Sequence, residues 1–269
     1  MFKPSILIVN DDSIFSSGIK ALWEAMSEIG NTTVVAPKSE HSGAGHAITI
    51  SKPLDAEKID LKCGLSGYGV NGTPADSVKF AVNLLMDKKP DILVSGINSG
   101  SNVGQSILYS GTVSAAREGT FRGISSLAIS LDGDSDNDYS PSKIISQHIV
   151  KSVLKYGLPN DTLLNITIPN LPKKEIRGFK ITKQGSMYFS DIFKKIENNR
   201  SFEGYWLTAK HNDPDLSRDN DSIAVKEGFV SVTPLHSEQT NFSFIQELSK
   251  WDLESVSYTH LTLPTKRIV

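Results

Sequence analysis

Residues 5–10, SILIVN, set four aliphatic side chains in unbroken succession, and Asn10, Asp11 and Asp12 follow at once. An apolar run this short and this continuous is the pattern of a strand buried on both faces, the situation of a parallel sheet covered by helices on either side. The rest of the chain keeps to that plan. Residues 17–28 place Ile19, Leu22, Trp23 and Met26 at helical spacing before Gly30 stops them. Strand-like runs follow at 31–37, 91–96, 125–131 and 163–169, and helical patterns at 74–87, 111–123 and 142–157. This alternation predicts an α/β fold, a doubly wound and mainly parallel sheet. From about residue 172 the texture changes. FKITKQG, MYFSDIFKKIE and GYWLTA read as a hairpin or extended excursion, residues 209–222 as a polar loop, 227–235 as a strand and 241–251 as a terminal helix.

The adjacent carboxylates need an explanation, because neighbouring negative charges repel and gain nothing locally. In open parallel sheets ligands sit outside the carboxyl ends of the strands, so Asp11 and Asp12 face that crevice. The second strand delivers Ser39, Glu40, His41, Ser42 and His46 to the same edge, and the third delivers Ser95, Asn98, Ser99 and Asn102. Lys38 is the one basic residue close by. Oxygen donors without thiolates or clustered imidazoles suit Mg²⁺, Mn²⁺ or Ca²⁺. The plainer reading, Asp12 or Ser13 capping the next helix, explains one of the two acids and none of the other strand ends.

Around these donors lie the glycine loops SGAG (42–45), NGTP (71–74), SGINSGSNVG (95–104) and YSGT (109–112). Such loops present backbone N–H groups, and with helix N-termini they bind phosphate. None is a GxxxxGK[ST] loop or a clean GxGxxG, so ATPase and dinucleotide readings lack their motif. A cation beside bound phosphate points to phosphoester hydrolysis. His41 and His46 are candidates for proton transfer, although either also fits an ordinary loop residue. A signalling receiver would need a carboxylate where Ser95 to Asn98 stand, and a haloacid-dehalogenase-type phosphatase would need DxD where NDDS stands. A non-catalytic nucleotide- or phosphate-binding protein on the same fold remains the alternative.

Composition sets outer limits. The 269 residues are enough for one large domain, and a net charge of −2 argues against a nucleic-acid polymer or a membrane surface as partner. The single cysteine, Cys63, excludes a disulfide framework. The apolar run in MFKPSILIVN is too short for a signal peptide or a membrane span, so a cytoplasmic protein is expected. The tail 257–269, SYTHLTLPTKRIV, has neither period nor caps and resembles the translated adapter tails of fragmentary gene models. Residues 255–269 are therefore expected to be non-native, after a single domain over 1–254 with its core at about 1–172 and 223–254 and its hairpin extension at about 173–222.

ILIVNDDSIFSSGI, VVAPKSEHSGAGHAIT, VNGTPADSVKFA, PDILVSGINSGSNVG and LYSGTVSAAREGTFRGISSLAIS, in that order, resemble the SurE (survival protein E) family of nucleotidases, and the resemblance runs over about 5–250. It implies a Rossmann-like core with a protruding β-hairpin and a C-terminal arm used in homodimer or homotetramer assembly. It also implies a metal-dependent phosphatase of nucleoside 5′- and 3′-monophosphates, and sometimes of short polyphosphate. One divalent cation per subunit, Mg²⁺ or Mn²⁺, would be held by Asp11, Asp12, Ser42 and Asn98, with Asp11, Asp12 and Asn98 as the catalytic set. Asn10, Gly43, Asn71, Thr73, Ser99, Asn102, Ser110, Gly111 and Thr112 match the family's phosphate side. Ser13 stands where the family usually has glycine, and Tyr188, Phe189, Tyr205 and Trp206 are candidates for base stacking or for interface packing.

Overall fold

The computed structural model describes residues 3–61, 63–133, 137–196 and 204–251, so the expected non-native tail at 255–269 lies outside the described residues. The elements run β1 (Ser5–Val9), α1 (Ser17–Ser27), β2 (Asn31–Pro37), β3 (Ala56–Asp60), β4 (Ser66–Val70) and α2 (Pro74–Phe80), the last followed by a π-helical turn over Ala81–Leu85. Next come β5 (Ile92–Ser99), α3 (Ser106–Tyr109), α4 (Gly111–Phe121), β6 (Ser125–Asp132), α5 (Ser140–Tyr156) and β7 (Thr162–Pro169). The chain continues through β8 (Phe179–Ile181), β9 (Tyr188–Lys195), β10 (Tyr205–Asn212), α6 (Asp221–Lys226) and β11 (Val230–His236). The chain divides into two compact units, Met1–Ser237 and Glu238–Val269, and the helix α7 (Phe242–Leu248) belongs to the second.

Nine strands form one sheet in the order β3-β4-β2-β1-β5-β6-β7-β11-β8. The central pairs β4–β2–β1–β5–β6–β7 are parallel, while β3 against β4 and β11 against β7 are antiparallel. The expected two-sided burial of β1 is present. Ile6 and Ile8 join one core cluster with Ile19, Leu22 and Met26 of α1 and Ile149 of α5. Leu7 and Val9 join the other with Val78 of α2 and Val113 and Ala116 of α4. Helix α1 is seated so closely on β5 that a Cβ added to Gly18 would lie 1.9 Å from the carbonyl oxygen of Ile97, so only glycine fits there.

After β1 the chain winds one way through β2 and β4, then returns to the other side of β1 as β5 and continues to β6 and β7. The gap between the carboxyl ends of β1 and β5 is thus the point where the winding reverses, where open α/β sheets bind their ligands.

Several elements differ from the sequence reading. The helix expected over 74–87 is α up to Phe80 and π after it. The loop expected over 209–222 is strand up to Asn212, and its end starts α6. Strands β3 and β4 and helix α6 were not expected. The excursion contributes the short edge strand β8 to the main sheet, and β9 and β10 form a two-stranded sheet of their own, Tyr188 opposite Asn212 and Lys195 opposite Tyr205. Among the described residues no helix is long and apolar enough to cross a membrane.

Candidate active site at the sheet's switch point

Three strand ends and one helix start meet at Asp11 and Asp12. The Asp11 side chain is buried, and Thr112, in the first turn of α4, donates its hydroxyl to Oδ1. The approach of α4 to β1 depends on Gly111, since a Cβ there would sit 2.7 Å from the Asp11 Cβ. Asp12 Oδ2 accepts the Ser99 N–H at 3.3 Å from the end of β5. The loop after β2 is drawn in by the His41 N–H, which donates to the Asp11 carbonyl at 2.8 Å. Asn10 braces the turn into α1, its Nδ2 donating at 2.8 Å both to the Ser13 carbonyl and to Ser16 Oγ, the N-cap of that helix.

The electrostatics are unfavourable for two free carboxylates. Burial pushes the Asp11 carboxyl above its usual range, against the Thr112 hydroxyl and the backbone amides of Gly111 and Thr112. Burial first, then the charge of Asp11 and that of Glu40, push Asp12 up to about 6, against the Ser99 amide. Lys38 does not relieve them, because its ammonium is held by Asp55 at 3.3 Å and Glu57 at 3.1 Å. Among the described residues no lysine, arginine or histidine pairs with either acid.

The chemistry of the donors fits a hard cation. The two further oxygen donors expected from the sequence are Ser42, whose hydroxyl donates to Glu40 Oε1 at 2.6 Å, and Asn98, whose Nδ2 donates to the Gly100 carbonyl at 2.8 Å. That tie leaves the Asn98 side-chain oxygen as the end able to bind a ligand. Asn10 Oδ1 is buried with no hydrogen-bond partner among the described residues, a further oxygen acceptor beside the pair. Among the described residues no three His, Cys, Asp or Glu side chains gather, so Ser42 and Asn98 would have to complete an oxygen set.

The remaining sequence candidates divide. Ser99, Gly111 and Thr112 touch the acidic pair, and Ser110 caps α4 by accepting the Val113 N–H at 3.1 Å. Gly43, at φ +74°, belongs to the exposed Ser42 loop. Thr73 is spent in the fold. Its hydroxyl caps α2 in a capping box with Asp76 and donates to the Ala47 carbonyl at 2.7 Å. Asn102 is also spent, donating to Ser130 Oγ at 2.8 Å and accepting from Asn165 and Thr167 at its carbonyl. Asn71 is exposed, and its N–H donates to the Asp55 carbonyl at 3.0 Å.

His46 lies 3.1 Å from the buried Glu118, which also binds Lys79 at 2.9 Å and Arg122 at 3.0 Å. Burial would raise the Glu118 pKa, but the His46 and Lys79 hydrogen bonds and the charges of Lys79 and Arg122 overcome it and hold it at about 2. Sequence reading did not anticipate this clamp, because only i and i+4 spacing ties Glu118 to one partner, Arg122.

Fold and site together define a Rossmann-like α/β protein with a buried, oxygen-lined anionic centre at its switch point. Residues 6–191 match the family model described as Survival protein SurE. The chain belongs to that family. It is 41% identical to the 5′-nucleotidase SurE of Caldanaerobacter subterraneus subsp. tengcongensis over 94% of this chain and 100% of that protein. It is 44% identical to the 5′-nucleotidase SurE of Christiangramia forsetii over 93% of this chain and 98% of that one. The crystal structure of the SurE protein from Aquifex aeolicus superposes with a TM-score of 0.80 at 41% identity, covering 91% of this chain and 98% of that chain.

Proposed function

We propose that the protein is a metal-dependent phosphomonoesterase that hydrolyses nucleoside 5′-monophosphates to nucleoside and phosphate, with 3′-nucleotides and short polyphosphate as further substrates. The observation that carries this reading is a buried, mutually repelling carboxylate pair at the sheet's switch point, with no basic side chain among the described residues to neutralise it. The names of the relatives support it.

Asp11, Asp12, Ser42 and Asn98 would hold one divalent cation, Mg²⁺ or Mn²⁺. When bound, such an ion supplies positive charge that neutralises the pair and polarises a phosphoryl oxygen. The chain's own residues fix the geometry. Thr112 and the first amides of α4 orient Asp11, the Ser99 amide orients Asp12, and Asn10 locks the intervening backbone. Gly43, Asn71, Ser99 and Ser110 stand on the loops that would face the phosphate. The homodimer or homotetramer and the cytoplasmic setting expected from the sequence belong to the same proposal.

The test is phosphate release from AMP and GMP, with EDTA and with added Mg²⁺ or Mn²⁺, for wild type and Asp11→Asn. We expect metal-dependent turnover that falls by about a hundredfold or more in the variant, the scale of losing one preorganised charged group. The variant in EDTA should melt no lower than wild type, since it removes a buried charge. A folded wild type that binds AMP and releases no phosphate with any metal would leave the non-catalytic reading in its place.

A further inference from the structure

Between Ser42 and His46 stand Gly43, Ala44 and Gly45, so no intervening side chain can anchor the serine by a hydrogen bond. Gly43 and Gly45 have φ of +74° and +57°, and a Cβ on Gly43 would meet nothing within 4 Å. No helix or strand covers the stretch from Lys38 to Asp55. Ser42 itself is exposed, and its hydroxyl donates within the loop, to Glu40. A glycine-flanked segment of this kind takes its shape from where its two ends are tied.

Before Ser42 the tie is the His41 N–H on the Asp11 carbonyl. After it, the Gly45 N–H donates to the Tyr109 carbonyl at 2.9 Å, and the half-buried His46 ring reaches Glu118. Lys79 and Arg122 both bind Oε1 of Glu118, whereas His46 Nε2 meets Oε2. Glu118 is charged at neutral pH and a carboxylate only accepts, so Nε2 carries the hydrogen and the imidazole has one orientation. The Phe121 ring supports it by stacking, with centroids 5.7 Å apart and planes within 10°. Glu118 and Phe121 lie on α4, and so does Thr112, which holds Asp11. Thr112 and Glu118 are six residues apart, ~9 Å along the helix axis. One helix thus carries the partner of the buried acid in its first turn and the partner of the Ser42 loop further along.

We propose that His46 is the positioning residue of the Ser42 loop: bound to Glu118, it sets where the Ser42 hydroxyl stands relative to Asp11 and Asp12, and thereby how tightly the centre holds its divalent cation. The proposal rests on the metal-dependent nucleotidase reading above and deepens it, because it assigns the metal affinity of that site to a contact on the flank of α4. With Nε2 committed to Glu118, the ring acts through where it holds the chain. The residues that follow do not replace it, since the ties of Ala47 to Thr73 and of Thr49 to Asp76 hold the loop to α2 beyond His46.

The test is a double-mutant cycle read by Mn²⁺ binding, which needs no turnover. The free Mn²⁺ signal is followed by electron paramagnetic resonance during titration of wild type, His46→Ala, His46→Gln, Ser42→Ala and the double variant His46→Ala/Ser42→Ala, with folding checked by circular dichroism. We expect His46→Ala to weaken Mn²⁺ about tenfold, the lower end of what losing a partner behind a ligand costs. His46→Gln keeps an N–H donor of similar reach and should stay within about threefold of wild type. If His46 acts through Ser42, the double variant should bind within about twofold of Ser42→Ala alone. Unchanged Mn²⁺ affinity in a folded His46→Ala, a glutamine variant as weak as the alanine one, or losses that multiply in the double variant would each overturn the proposal. A wild type that shows the expected pattern of Mn²⁺ binding and releases no phosphate from AMP would instead refute the nucleotidase reading and keep the role of His46.

Discussion

Ser13 has φ +87°, a conformation that glycine adopts freely and a residue with a Cβ adopts at a cost. Its carbonyl accepts from Asn10 and its hydroxyl from the Phe15 N–H at 3.4 Å, so the turn is held by the neighbours of Asp11 and Asp12. Replacing Ser13 by glycine keeps the carbonyl contact and removes the strain. We expect Ser13→Gly to gain on the order of 1 kcal/mol, a rise of about 2–4 °C in Tm, with metal-dependent activity retained. A fall in Tm would show that the hydroxyl contact outweighs the strain. At this scale the acidic centre was legible in the sequence, because Asn10, Asp11 and Asp12 are consecutive and sit where a buried strand must end. The spent roles of Thr73 and Asn102 were not legible. A threonine before Pro74 reads equally well as a phosphate contact or as a cap, and only the packing of α2 on the Ser42 loop decides between them.

The cap itself gives a prediction at the scale of an element. Thr73 Oγ1 accepts the Asp76 N–H at 3.1 Å and donates to Ala47, while both Asp76 carboxylate oxygens accept the Thr49 N–H at 3.1 Å. Thr73→Ala should cost about 1 kcal/mol, seen as a lower thermal midpoint, with KM for AMP little changed below the melting range. A large rise in KM at full folding would instead make Thr73 a substrate contact. Elements with strong periodicity or unbroken apolar runs, such as β1, α1, β5 and α5, were foreseen because their burial is two-sided or one-faced and leaves that trace in the sequence. Strand β3, AEKID, is a mostly polar edge strand, β4 carries Gly67 and Gly69, and α6 has six residues. None has enough length or contrast for its pattern to stand out.

For the molecule as a whole, the Glu118 clamp joins α4, α2 through Lys79 and the Ser42 loop through His46. Its pKa is held at about 2, below the value of about 4.3 in an unfolded chain. A depressed acid contributes stability that is fully present above the unfolded pKa and lost as pH falls through the folded one. The clamp therefore supports the fold at neutral pH, and its contribution drains away between about pH 4.5 and 2. Melting curves in EDTA should show Glu118→Gln less stable than wild type at pH 7, with the gap narrowing as pH drops toward 2. A gap that stayed constant with pH would mean that Lys79, Arg122 and the His46 hydrogen bond do not hold the carboxylate charged. The clamp could not be read from the sequence, since residues as far apart as His46 and Glu118 meet only after folding.

The position of β5 beside β1 also governs the order in which the site comes into being. β1 is made first and finds β2 about 25 residues later, but its other neighbour begins at Ile92. Until that strand slots in, Asp12 lacks the Ser99 amide and Asp11 still awaits Thr112. Closing so long a loop is slow compared with forming a local helix or turn. On a nascent chain the carboxylates therefore spend their early life in water, and the acidic centre matures only when the two halves of the sheet join across them.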